Sequence, residues 1–353
     1  MFWFFNKKKI RLPKYEVEHV VSTLSQVTDW GVRQLNVPET WTVTQGENKV
    51  ALVIDTGCTE HPDLVDNMII HKSKSFISYE DIYDLNGHSS HVCGIVAASD
   101  NNTGMVGVAP KAKIITCKTL DKNGSGSMKA LEDALEYALE LKPDVISMSL
   151  GAPVSTDKTH DLIKQLHSLN IPIICAAGNS GRNNDVHYPA KYPETITVTA
   201  FDKNGNPARF NSKGSEVDFS APGVDIYSTW INNQYARISG TSMATPFITG
   251  IVLLLLAKHA KQELETGKND CKTIEQIKEH LIKYADDRGA VGKDSTWGYG
   301  VIDPKNLILA ANNPEDNEDP EDTEDPKEVE TPPPEEECGF WCKLRKILKK
   351  IFY

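Results

Sequence analysis

Three short segments place a carboxylate, an imidazole and a hydroxyl where acyl-transfer chemistry could use them. They are Val53-Ile-Asp55-Thr-Gly57, Asn86-Gly-His88-Ser-Ser-His91-Val-Cys-Gly94 and Ser239-Gly-Thr-Ser242-Met-Ala-Thr-Pro246. A serine hydroxyl is a weak nucleophile. It needs a neutral imidazole to take its proton, and the imidazole needs a carboxylate to hold its tautomer and stabilise its charged form. Asp55, His88 and Ser242 are the parts of such a relay. Each alone has an ordinary explanation: Asp55-Thr-Gly57 as a turn, His88 as a surface histidine, Ser242 as a helix cap ahead of Pro246. Their joint occurrence in one chain gives the catalytic reading its weight. A fourth segment, Ala176-Ala-Gly178-Asn179-Ser-Gly181, carries an Asn that in isolation is a turn residue.

The surrounding pattern supplies elements to hold these residues. From Lys49 to about Ala311, β-branched apolar runs alternate with helical periodicity, the mark of parallel strands joined by crossover helices. Strands are expected at 50–54, 114–117, 145–148, 171–175 and 195–198, most of them buried on both faces. Helices are expected at 88–98, 127–141, 159–169, 245–259 and 273–285. In helix-flanked open sheets, sites form at the carboxyl ends of strands, and the reactive residues fall there.

With these motifs together, the chain resembles the subtilase family from about Val27 to Ala311. Its order Asp, His, Ser is that of subtilisin itself. The resemblance implies a three-layer α/β/α subtilisin-like fold with a mostly parallel central sheet. It also implies a serine endopeptidase in which Asn179 donates to the oxyanion beside the nucleophile's backbone N–H. The family places the base directly after the glycine, which selects His88 and leaves His91, one helical turn on, as a structural histidine. The motif departs from most relatives, which have Gly-Thr between the two histidines and Ala at the position of Cys93; small residues are retained here, so activity is expected to survive.

The resemblance extends to substrate and metal. Ser125 and Gly126 in Lys122-Asn-Gly124-Ser125-Gly126, and Ser149, Leu150 and Gly151 in the next edge segment, match the two stretches that hold an extended peptide by main-chain hydrogen bonds. Ala176 and Gly178 are further implied substrate-binding residues, and the base of the first specificity pocket is implied near Val186-His187-Tyr188-Pro189, where His187 replaces a common small residue and implies an altered preference. Calcium is implied by Gln26, Asp63 and the loop bearing Ser99, Asn101, Thr103 and Met105, which offer the oxygen ligands that ion prefers. A weaker cation position at the carbonyls of Ala190, Tyr192 and Thr195 is a further implication. Cys58 after Asp55-Thr-Gly57, and Ile173-Ile-Cys-Ala-Ala-Gly-Asn179, are most similar to the intracellular subtilisins. Those carry an inhibitory Leu-Ile-Pro-Tyr core near the N-terminus, and Ile10-Arg-Leu12-Pro13-Lys-Tyr15 is similar but lacks that Ile. Inhibition released by cleavage between about Tyr15 and Val27 is one expectation for it; an unattached terminus is the other.

Composition sets the remaining expectations. The net charge of −11 is concentrated: residues 314–337 hold 13 acidic side chains and one Lys, and 338–353 carry five basic ones, leaving −4 for the body. Such a body has no electrostatic reason to seek nucleic acid. The domain reading is a short N-terminal segment at 1–25, a peptidase domain at 26–312, an acidic Pro-rich disordered linker at 313–337 and an amphipathic basic helix at 338–353. Aromatic-basic composition at both ends suits docking on an anionic membrane surface, with acylation of Cys338 or Cys342 as an added anchor; the alternative is that the helix folds onto its own acidic spacer or meets a partner. The seven cysteines, an odd number without paired spacing, fit a reducing compartment. The opening Met-Phe-Trp-Phe-Phe precedes its basic residues, the reverse of an export signal, so a cytoplasmic location is expected. The longest apolar run, 247–257, falls short of the ~20 residues a span needs. Extended polypeptides are the expected partners, and a homodimer is compatible with the sequence but not specified by it. The competing readings are a dedicated processing protease and an inactive, tethered pseudoprotease.

Overall fold

The computed structural model describes residues 9–21 and 25–310, with the backbone alone for 18–21. The linker at 313–337, the basic helix at 338–353 and the start of the chain before Lys9 lie outside the described residues. At the N-terminal end, β1 (Lys9–Arg11) and β2 (Val17–Val21) are extended strands, so this segment is not an unattached terminus. The next strands are β3 (Val50–Asp55), β4 (Lys74–Ser75) and β5 (Lys113–Lys118), then β6 (Ser125–Ser127) and β7 (Val145–Met148). Beyond these come β8 (Ile173–Ala176), β9 (Ile196–Phe201), β10 (Val217–Pro222), β11 (Ile226–Trp230) and β12 (Gln234–Ile238). The principal helices are α1 (His88–Ala97), α2 (Met128–Leu141), α3 (Asp157–Ser168), α4 (Thr241–Thr266) and α5 (Ile274–Lys283).

A seven-stranded sheet runs in the order β10-β9-β8-β7-β3-β5-β4, and every neighbouring pair is parallel. The period of two along β3 explains the layers. Ala51 and Val53 pack with residues of α1 and α4, whereas Leu52 and Ile54 pack with residues of α2 and α3. All four are fully buried, so a strand apolar on both faces is what this position demands. The strand order runs outward from β3 in both directions, which opens a crevice at its carboxyl end. Asp55 is the last residue of β3, His88 the first of α1 and Ser242 the second of α4.

Helix α4 begins four residues earlier than its sequence pattern suggests and runs seven residues further, past Pro246. A proline inside a helix lacks the N–H that would bond four residues back. Here that orphaned carbonyl, on Ser242, accepts from Ser149 Oγ at 3.0 Å, so the helix absorbs Pro246. The far end is polar but rich in good helix formers, and Gly267 closes it at φ 74°. By length and composition α4 could cross a membrane, but 89% of its most apolar stretch is buried inside the domain. The five described cysteines are all buried and none is paired.

Candidate active site

His88 Nδ1 stands 2.9 Å from both Asp55 carboxylate oxygens, and both side chains are fully buried. Thr56 N–H donates to Asp55 Oδ1 at 2.7 Å. The carboxylate therefore fixes the proton on Nδ1 and leaves Nε2 as the basic nitrogen. That Nε2 is buried and makes no hydrogen bond. Ser242 Oγ donates to the Ser149 carbonyl at 3.2 Å, not to His88. With the Ser149 Oγ bond to the Ser242 carbonyl, the two serines form a reciprocal pair. His91 Nε2 lies 2.9 Å from the Ile226 carbonyl and 3.1 Å from that of Ala236, which fixes its proton there. Burial, ahead of the His88 charge, pushes its pKa down to about 3, so it is a neutral structural ring.

Asn179 is held from one side and used from the other. Its Oδ1 accepts from Thr241 N (3.0 Å) and Thr241 Oγ1 (2.8 Å), and Thr241 Oγ1 in turn accepts from Gly178 N–H at 3.2 Å. The amide nitrogen donates to the Lys14 carbonyl at 2.8 Å. The N-terminal segment thus reaches the crevice. β1 pairs antiparallel with β6, Ile10 opposite Gly126 and Arg11 opposite Ser125. Arg11 also exchanges two main-chain bonds with Gly151, at 3.0 and 2.9 Å, and Leu12 N–H donates to Gly124 O at 3.0 Å. Ser125, Gly126 and Gly151 therefore clamp residues 10–12 as an added strand. Tyr15 lies beside His88 with ring centroids 5.2 Å apart, and its hydroxyl donates to Asn86 Oδ1 at 2.8 Å. Burial, reinforced by the charges of Asp55 and Asp84, raises that phenol to about 12 and keeps it neutral.

Leu150, Gly151, Ala176, Gly178 and His187 line a cavity of about 670 Å³ that Pro13 and Lys14 border. The His187 side chain packs against Gly151, where an added Cβ would come within 3.1 Å of it.

One anchor is not legible in the sequence motifs. Asp84 is buried, and its Oδ1 accepts from Thr56 Oγ1, Asn86 N and Gly87 N, each at 2.9 Å. Its Oδ2 accepts from Ser90 N and Ser90 Oγ at 2.9 and 2.8 Å. His88 N donates to Asn86 Oδ1 and Ser89 N to Thr56 Oγ1, so the carboxylate, by holding Thr56, Asn86 and Ser90 together, organises the open amino end of α1 and sets the helix that presents His88. Gly87, at φ 104°, passes beneath Trp230, whose ring an added Cβ would meet at 2.4 Å.

The residues expected to hold calcium are brought together. Asp63 is buried; its Oδ2 accepts from Met105 N (2.7 Å) and Tyr235 Oη (2.9 Å), while Oδ1 is 3.3 Å from Asn101 Nδ2. Gln26 Oε1 accepts from Asn101 N and Asn102 N, and Asn101 Oδ1 from Thr103 N and Oγ1. Ser99 N–H donates to the Asp63 carbonyl, while Asn102 and Gly104, which alternate with expected ligands, spend their carbonyls on Gln26 N and Val27 N. A carboxylate and two amide oxygens around one loop suit a hard cation. At the weaker position Thr195 Oγ1 donates to the Tyr192 carbonyl at 2.9 Å, Thr197 Oγ1 to that of Ala190 at 2.5 Å, and the Lys278 ammonium sits 3.5 Å from the Thr195 carbonyl.

A profile described as "Subtilase family" matches residues 46–300. Among curated relatives, the minor extracellular protease Epr of Bacillus subtilis (strain 168) is 35% identical over 285 residues, covering 80% of this chain and 42% of Epr. The intracellular serine protease of Paenibacillus polymyxa is 37% identical over 259 residues, 70% of this chain and 78% of the relative. The major intracellular serine protease of B. subtilis (strain 168) is 34% identical over 281 residues, 76% and 87% of the two chains. The class these findings define is serine-type endopeptidase. The chain belongs to the subtilase family.

Proposed function

We propose that this chain is an endopeptidase held latent by its own residues 9–16, working on extended polypeptides through Asp55, His88, Ser242 and Asn179. The observation that carries the reading is the Lys14 carbonyl on Asn179 Nδ2, with Arg11 clamped between Ser125 and Gly151. The segment sits as a substrate would, with Tyr15 beside the base. When it leaves, Ser242 Oγ rotates from the Ser149 carbonyl toward His88 Nε2. The imidazole takes the hydroxyl proton as Oγ bonds to the scissile carbonyl carbon, Asp55 balances the imidazolium, and Asn179 donates to the developing oxyanion. His88 then protonates the leaving amine as the C–N bond breaks, and water resolves the acyl-enzyme by the same route. The names of the two intracellular relatives support a cytoplasmic setting.

Removing residues 1–18 tests latency. It is expected to raise kcat/KM on an extended peptide about tenfold or more, because a tethered competitor has an effective concentration near millimolar. Equal activity with and without the segment would end this reading.

Calcium is proposed for Gln26, Asp63, Ser99, Asn101, Thr103 and Met105. When bound it supplies charge neutralisation that ties the 99–105 loop to Gln26 and Asp63. Millimolar Ca²⁺ is expected to raise the thermal midpoint by several degrees, and Asp63→Asn to remove that gain, since only the folded state assembles the site. A midpoint indifferent to Ca²⁺ and EDTA would rule the site out.

A further inference from the structure

A second cluster of ligating side chains lies far from the cleft, near the junction of α4 and α5. Seventeen residues of helix separate Ser242 from His259, about 25 Å at 1.5 Å per residue. Ring nitrogens of His259 and His280 and a carboxylate oxygen of Asp270 all lie within 4.8 Å of one another. His259 is 1% exposed, yet neither of its nitrogens makes a hydrogen bond. Asp270 Oδ1 is 2.7 Å from His259 Nδ1, an ion-pair distance but off the line an N–H donor requires. Asp270 Oδ2 stands 3.8 Å from His280 Nε2, and the two imidazoles are 4.9 Å apart at 45°. Gln262 Oε1, one turn beyond His259, is also buried and lies beside its ring.

Native interiors rarely keep such atoms without a partner, and an ion is one standard remedy. The nearest buried cation, Lys258, is spent elsewhere, on the carbonyls of Leu307 and Ala310 at 3.1 Å each.

We infer that His259, Asp270 and His280 form a binding site for a divalent transition-metal ion of the zinc type. Two imidazoles and one carboxylate suit zinc, and a water on the solvent side completes four-coordination. Calcium, which takes oxygen ligands, does not match this set. Zinc bonds of about 2.0–2.1 Å put tetrahedral ligands about 3.4 Å apart, so the widest separation must close by roughly 1.4 Å. Asp270, 59% exposed and between the two helices, can swing to adjust its own separations of 2.7 and 3.8 Å, and closing the two imidazoles falls to His280, whose side chain also reaches solvent. The ion would pin the 267–273 connection to the carboxyl-terminal part of α4, a stabilising role independent of peptide cleavage.

The test uses the full chain carrying Ser242→Ala, to prevent self-digestion, with millimolar Ca²⁺ present throughout. Zn²⁺ is expected to bind at one site and raise the thermal midpoint by several degrees, and Co²⁺ at the same site to give the intense visible absorption of a tetrahedral centre. Asp270→Asn and His280→Ala, both at side chains that reach solvent, should each weaken binding about tenfold or more and remove the midpoint gain. Their metal-free midpoints should match that of the parent, which separates lost binding from lost folding. Undiminished Zn²⁺ binding in both variants, or no binding in the parent, overturns the site. Binding that survives both variants but is lost in His88→Ala overturns it too, by assigning the metal to the catalytic pair.

Discussion

Replacing Ser242 with alanine is expected to abolish labelling by a fluorophosphonate and to lower kcat on an extended peptide by roughly 10⁶-fold. That magnitude is the one established on subtilisin, carried over to this chain as a member of the same family. The label bonds only to a serine whose proton is drawn away. In the proposed relay that base is His88 Nε2, with Nδ1 committed to Asp55. The substitution removes one oxygen, whose present bond is to the Ser149 carbonyl, so folding should change little. The comparison belongs in the chain lacking residues 1–18, where the cleft is open. His88→Ala should cost as much as Ser242→Ala, because the relay acts as a unit. Labelling that persists without Ser242 would place the nucleophile elsewhere. A truncated chain that never labels would mean that the relay is idle, and the pseudoprotease reading would stand.

The parts of this site that could be read from the sequence are those whose chemistry depends on residue type at an element's end. β3 and β7 are apolar on both faces, so their position in the sheet follows from composition, and Asp55 follows from where β3 stops. The contacts that position these groups are long-range and leave no local mark. Asp84 caps α1 from four residues before His88, a spacing no capping box uses. Thr241 orients Asn179 across 62 residues of chain, and Ser149 meets Ser242 across 93. Pro246 reads as a helix start because its missing N–H usually belongs there; the partner that lets α4 pass it comes from another part of the chain. Nothing in the crossover pattern points to β11 and β12. They pair antiparallel with each other, outside the parallel sheet, and β12 also takes β2 on its other edge.

Asn179→Leu is expected to lower kcat by about 10²–10³-fold with little change in KM, the loss seen in subtilisin when this kind of donor is removed. The donor matters only as charge gathers on the substrate oxygen, so ground-state binding should be spared. Asn179 has a second task that makes the result diagnostic. Its Oδ1 accepts both polar groups of Thr241 at the start of α4, one residue before Ser242. Leucine leaves those donors unmatched at a cost of about 1–3 kcal/mol, so the thermal midpoint should fall as well. Asn179→Asp keeps the acceptor and removes the donor; it should retain more stability than leucine yet lose activity, because a carboxylate repels the oxyanion. In the full chain either change also cuts the bond to the Lys14 carbonyl, loosening the segment while slowing chemistry, so the two must be measured without residues 1–18. If Asn179→Leu lowers stability but leaves kcat within a factor of ten, Asn179 serves only to brace Thr241, and the oxyanion is stabilised by other groups.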